Sequence, residues 1–200
     1  GIEFTLGKTD LYNYLPFKLY ELLTIGGRLG IILSNSWLGT DIGRKFFGAL
    51  QYYYDIRAVV ISNCKRWFKN ADVVATLLVL QKKEIMKPNP NLKINFWMIN
   101  KDIEQMSVSE KETIVNSIVL GEEIDSIVAS VKNYSIETIE KIMNKGIALN
   151  TLFHDVSWVN RLEGCLIPIG EVLTEFPGRF NASGNNLPVP FLIFSNLSIQ

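Results

Sequence analysis

The loop Cys64-Lys65-Arg66-Trp67-Phe68-Lys69-Asn70-Ala71-Asp72 concentrates two aromatic rings and three cations in nine residues. An aromatic side chain at the open end of a sheet offers a flat face on which a planar ring can stack, and cations beside it can meet phosphates. The same residues read equally as a core cap, Trp67 and Phe68, flanked by solvated charges, Lys65, Arg66 and Lys69. Both readings stand on the residues alone. Gly26-Gly27-Arg28-Leu29-Gly30 is rich in glycine, but a phosphate-cradling loop follows a strand and opens a helix. Here a helix precedes and a strand follows, so the segment reads as a helix stop. His154 stands alone, with no serine or cysteine nucleophile context, and has no assigned role. With that single histidine and two distant cysteines, Cys64 and Cys165, no zinc or disulfide framework can be drawn, which fits a reduced, cytoplasmic setting.

The elements that must position this loop follow from apolar spacing. Leu11, Leu15, Leu19, Leu22 and Leu23 fall on one helical face, with Thr9 and Asp10 as N-cap types before it and Gly26-Gly27 after it. Leu29–Leu33 is a short continuous apolar run, predicting a strand buried on both faces as in a parallel sheet. A second helix starts at Thr40-Asp41 and carries Phe46, Phe47 and Leu50. Arg57–Ile61 and Val73–Leu80 are two further strands with no helix between them, so they are predicted to pair as an antiparallel hairpin. Pro88 and Pro90 break the chain before another strand, Lys93–Ile99. Ser107 and Glu110 form a capping box that opens a helix. Two more helical segments are predicted at about 122–132 and 136–145, and Gly, Pro and Asn accumulate over 164–190. No internal repeat or low-complexity tract occurs.

The chain has 200 residues, 48% hydrophobic and 20% charged, enough for one core-forming α/β domain and part of a second. Twenty basic side chains offset twenty acidic ones, so no global field draws the protein to DNA and any nucleic-acid role needs a local patch. No apolar run reaches the roughly 18 residues of a membrane span, and the first ten residues are polar and mixed, unlike a secretory signal. The start at Gly-Ile-Glu-Phe without a methionine predicts an excised fragment or a cloning scar.

Thr9-Asp10-Leu11-Tyr12, Leu22-Leu23, Gly26-Gly27-Arg28-Leu29-Gly30 and Ser34-Asn35-Ser36-Trp37-Leu38, taken in order, resemble the middle motifs of amino-group DNA methyltransferases from restriction–modification systems. Ser34 stands where proline is usual. Trp67–Val73, followed by an apolar strand, resembles the next motif of that family. The resemblance covers residues 9–83 and, loosely, 93–99. It implies an α/β fold: the C-terminal half of a Rossmann-like S-adenosylmethionine-dependent methyltransferase sheet ending in an antiparallel β-hairpin, then a helical and loop-rich segment. It implies methyl transfer to adenine N6 in DNA, with cytosine N4 as an alternative target because those enzymes share much of the pattern. It places Asp10, Tyr12 and Leu15 beside S-adenosylmethionine and Phe68 against the extruded base, with Lys65, Arg66 and Lys69 near DNA phosphates. Leu166–Val172 and the Gly/Asn-rich turn at 184–186 resemble the entry to a target-recognition region, giving expected domains of 1–100 (partial catalytic domain), 101–162 (helical connector) and 163–200.

Two segments that the family's chemistry needs are not in the sequence: a glycine-rich donor loop and an Asn/Asp-Pro-Pro-Tyr/Phe motif. The Asn89-Pro90 pair is not followed by a second proline and an aromatic. The piece is therefore expected to be inactive by itself, with an open edge on the 29–33 strand that self-associates or is covered. A DNA-binding specificity module without catalysis would show basic patches and few buried strands. A nucleotide-dependent oxidoreductase would show a glycine-rich strand-to-helix turn, which is not found.

Overall fold

The computed structural model describes residues 11–68 and 72–161, which belong to one compact unit, Gly1–Arg161. Five strands form a single mixed sheet: β1 (Arg28–Ser34), β2 (Tyr54–Ser62), β3 (Ala75–Lys82), β4 (Lys93–Ile99) and β5 (Ala129–Ser135). Their spatial order is β1-β3-β2-β4-β5. β3 runs antiparallel to both β1 and β2, β4 is parallel to β2, and β5 is antiparallel to β4. Thus β1, β2 and β4 point the same way and end at the same side of the sheet. The segment joining β2 to β3 lies at that side.

Thr40 and Ser107 set two of the helices where their chemistry dictates. The Thr40 hydroxyl accepts from the Gly43 N–H and starts α2 (Asp41–Tyr53). Ser107 and Glu110 cap each other reciprocally and start α3 (Val108–Leu120), which stops at Gly121 with φ +76°. α2 buries Phe46, Phe47 and Leu50 against Ile31, Leu33, Ile56 and Val59 of the sheet. The same face is covered by α1 (Leu15–Tyr20), α4 (Ile136–Asn144), a 3-10 turn at Leu149–Phe153 and α5 (Ser157–Arg161). The opposite face carries a smaller core of Ala58, Val60, Trp97 and Ile99 under Met106 and Ile114 at α3.

The capping box gives a pH dependence. Glu110 is held below the usual carboxylate range by its hydrogen bonds to Lys101 and then to the Ser107 backbone. A carboxylate lowered in the folded state stabilises the fold above its unfolded pKa, about 4.3, and that stabilisation is lost as pH falls through the folded value. Glu110→Gln is expected to flatten the fall in melting temperature on the acid side of pH 4.3. Ser107→Ala is expected to cost about 1 kcal/mol near neutrality. An unchanged acid limb in Glu110→Gln would remove this assignment.

The structure corrects three expectations. The five leucines do not form the buried face of the first helix. A 3-10 turn (Leu11–Tyr14) precedes α1, Pro16 sits in the first turn of α1, and the helix ends at Tyr20. That change of pitch breaks the assumed period and buries Asn13, Pro16 and Phe17 instead, leaving Leu11 86% and Leu22 80% exposed. Phe17 meets Phe46 and Tyr53 edge-on, and Tyr54 donates to the Pro16 carbonyl at 2.6 Å. Lys82 closes the helix by donating to the carbonyls of Tyr20 and Leu23.

Second, residues 122–132 are not a helix. Ile124, Ile127, Val128 and Val131 have helical spacing, but the free side of β4 accepts a fifth strand there, and Ile127 points to solvent. A ladder partner outweighs local spacing. Third, β1 is not buried on both faces. It lies at the sheet edge, Ile31 and Leu33 face α2, and Ile32 on the other side is 51% exposed.

Candidate functional site

Three strand ends converge because β1, β2 and β4 share a direction, and open α/β sheets bind ligands at such carboxyl ends. After β1 comes Ser34-Asn35-Ser36, after β2 the loop Asn63–Phe68, and after β4 Asn100-Lys101-Asp102. Backbone and side-chain bonds tie them together. The Asn35 N–H donates to the Val74 carbonyl at 2.8 Å, and the Asn63 N–H to the Ile99 carbonyl at 2.9 Å. The Asn63 side-chain amide donates to Asn100 Oδ1 at 3.0 Å.

Trp67 and Phe68 are separated by this framework. Trp67 packs against the second core and lines an apolar cavity of about 210 Å³ with Val60, Leu77, Ile99, Ile103 and Ile114. Phe68 is 47% exposed. Trp67 is thus anchored in the second core, and Phe68 beside it presents a half-exposed ring.

Lys65 and Arg66 are not free charges. Lys65 Nζ lies 2.6 Å from Asp102 Oδ2, and its pKa is raised chiefly by that hydrogen bond. Its backbone N–H also donates to Ser62 Oγ at 3.2 Å. Arg66 lies 3.3 Å from Asp72. A phosphate would have to exchange with, or join, these carboxylates. Asp102 itself is fixed by accepting from the Glu104 N–H. Lys69 lies outside the described residues.

The helix start expected beside a methyl donor is described only in part, since Asp10 lies outside the described residues. Tyr12 is tied to the strand ends: its hydroxyl is 2.7 Å from Ser36 Oγ, and Ser36 is bonded in turn to Ser34 Oγ, which accepts the Ser36 N–H. Ser34 thereby caps the 3-10 turn Asn35–Gly39. Leu15 is 45% exposed on the outer side of α1 and is not a core residue. The structure brings Tyr12 to the Ser34–Ser36 segment, and it brings Lys65, Arg66 and Phe68 together on the neighbouring loop.

Sequence reasoning singled out neither Asn63 nor Asn100 and Asp102. The signal for the last two was present, because Asn100-Lys101-Asp102 directly follows an apolar strand as Ser34–Ser36 does. Among the described residues, no group of three or more His, Cys, Asp or Glu could hold a metal ion, and no helix is long and apolar enough to cross a membrane. The region expected to begin target recognition, from residue 163, lies outside the described residues.

No protein-family model matches the chain, and no curated protein matches it. Solved structures do. The type IIG restriction endonuclease BpuSI is similar over 72% of this chain and 16% of that one, at 13% identity and a TM-score of 0.48. The M protein of the type I restriction enzyme EcoKI is similar over 70% of this chain and 37% of its own, at 12% identity and a TM-score of 0.47. A chain of a type I R-M system matches over 74% of this chain and 34% of its own, at 15% identity and a TM-score of 0.42. The chain thus spans little more than a third of these proteins at most. Likeness at this level leaves the function to be argued from the chain's own residues.

Proposed function

We propose that the chain is the C-terminal part of the catalytic domain of a DNA methyltransferase of a restriction–modification system, one that transfers a methyl group from S-adenosylmethionine to adenine N6. The single observation that carries this reading is the loop after β2. It presents Phe68 to solvent at the shared carboxyl ends of three strands while Trp67 anchors it from below. Base chemistry inside a duplex requires the base to be swung out and stacked in a pocket, and an exposed aromatic at a strand end supplies that face. The ordered motifs of residues 9–83 support the same reading, as does a sheet in which the reversed β3 lies between β1 and β2.

The family resemblance then gives each residue a role. Phe68 stacks on the extruded base. Lys65, Arg66 and Lys69 meet flanking phosphates, with Lys65 turning from Asp102 as DNA enters. Asp10 and Tyr12 edge the donor pocket, Tyr12 held in place through Ser36, and Leu15 lies against the donor or the segment that covers it. S-adenosylmethionine supplies the electrophilic methyl group. The amide and carbonyl groups that would hold the target amino group belong to an Asn/Asp-Pro-Pro-aromatic segment that these 200 residues do not contain. The chain alone is therefore inactive, and the working enzyme needs a further segment. Residues from 163 open the target-recognition region.

Among the described residues β1 has an unpaired edge, and that edge is where such a segment would extend the sheet. Unpaired strand edges recruit partners, so in the isolated chain this edge is expected to pair with a second copy or to be covered by another segment of the chain. A monomer by sedimentation velocity whose β1 amides also exchange freely with solvent would contradict the assignment of that edge. The function itself is tested by methyl transfer to DNA.

A further inference from the structure

The second face of the sheet changes character along its strands. Towards the ends that carry Phe68 it is apolar. Towards the opposite ends it carries a polar row: Arg28 on β1, Gln81 on β3, Arg57 on β2, Asn95 on β4 and Asn133 on β5. The ladder sets this row, pairing Arg28 with Gln81 and Asn95 with Asn133. With the last turn of α3 and the loop before β4, Arg28, Arg57, Asn95 and Asn133 of this row line an open pocket of about 490 Å³, within the usual range for small-molecule sites.

Its charges are unbalanced. Arg28, Arg57 and Lys93 line it against one carboxylate, Asp55. Arg28 is steadied by donating to the Val119 carbonyl at 3.2 Å, and Arg57 Nε donates to Gln81 Oε1 at 2.9 Å. The Arg57 fork is only loosely engaged by Asp55, at 3.9 Å. Lys93 has no ion-pair partner among the described residues. Asn95, only 7% exposed, is held by the Asn133 amide at 2.7 Å. Buried polar atoms are ordinarily hydrogen-bonded.

We propose that this pocket binds a small phosphorylated metabolite bearing hydroxyl or amino donors, of the sugar-phosphate or nucleotide class. The phosphate lies at Arg57 and Lys93, where the cations are least engaged. The donors of the ligand meet the carbonyl end of α3 and the amide side chains of Asn89 and Asn91, which line the pocket. The carbonyl end of α3 repels a bare anion and favours the donor end of the ligand on its side. The pocket lies at the opposite strand ends from Phe68, so this inference does not depend on the methyltransferase reading.

The test is calorimetric titration of the whole chain with AMP and ribose 5-phosphate, and with inorganic phosphate and adenosine as the separate halves. Saturable one-to-one binding of AMP or ribose 5-phosphate is expected, with each half at least roughly tenfold weaker. Tighter binding of AMP assigns a nucleotide, and equal binding assigns the sugar phosphate. Arg57→Gln combined with Lys93→Gln is expected to weaken binding by roughly tenfold or more, the loss of charge-assisted hydrogen bonds. Lys93→Gln alone, at an exposed position, gives a smaller loss without risk to the fold. No saturable binding in the millimolar range would overturn the proposal. So would inorganic phosphate binding as tightly as AMP, or affinities unmoved by the substitutions.

Discussion

Replacing Gly43 by alanine is expected to destabilise the chain by on the order of 3 kcal/mol, at the upper end of the usual cost of overpacking. Gly43 lies in the first turn of α2, where alanine ordinarily helps a helix. Here a Cβ would fall 1.5 Å from the Trp37 carbonyl oxygen and 2.4 Å from its carbon. These are backbone atoms and cannot rotate aside. Trp37 is itself locked, edge-on to Phe46 and stacked near Phe47. The helix must therefore move away from the Ser34–Trp37 segment, opening the larger core and disturbing the Tyr12–Ser36 contact. Gly48, in the same helix, has open space at its Cβ position. Gly48→Ala is expected to stabilise by about 1 kcal/mol through propensity alone. Urea unfolding of the two variants reads opposite signs from one chemical change. A Gly43→Ala variant as stable as the parent would show that α2 does not approach Trp37 this closely.

The second large effect concerns Phe68. In an enzyme containing this chain, Phe68→Ala is expected to lower methyl transfer to DNA by roughly 10- to 100-fold, the worth of one base–aromatic stack. Its melting temperature should hardly move, because the ring is half exposed. Phe68→Tyr should retain most activity, since the flat face survives. Trp67→Ala should behave differently, losing about 2 kcal/mol of stability from the second core. A 2-aminopurine at the target position reports the extruded base directly: its fluorescence should rise with the parent enzyme and rise less with Phe68→Ala. Equal fluorescence and equal rates for the two would remove Phe68 from the site.

The sequence made the local devices legible. Thr40 and Ser107 carry their caps openly, Phe46, Phe47 and Leu50 announce the buried face of α2, and Lys93–Ile99 reads as a strand without help from neighbours. What depended on distant partners was not legible. The helical spacing of Ile124, Ile127, Val128 and Val131 is real, and only the vacant side of β4 turns the following residues into a strand. The leucine face before Gly26 failed because Pro16 and a 3-10 turn change the helical pitch, a shift of face that the spacing of apolar residues does not encode. Site residues divide the same way. The exposed and anchored members of Trp67-Phe68 are adjacent in sequence and were indistinguishable until the second core was seen. Lys65 looked like a free cation because Asp102, its partner, is 37 residues away.

The most direct measurement is nucleoside mass spectrometry of DNA incubated with S-adenosylmethionine and either this chain or a longer protein that joins it to an Asn/Asp-Pro-Pro-aromatic segment. The account predicts N6-methyladenine from the longer protein and none from the 200-residue chain. N4-methylcytosine would keep the reaction and change the base. Methyl transfer by the chain alone, or no methylated nucleoside from the longer protein on DNA containing its site, would contradict the central claim.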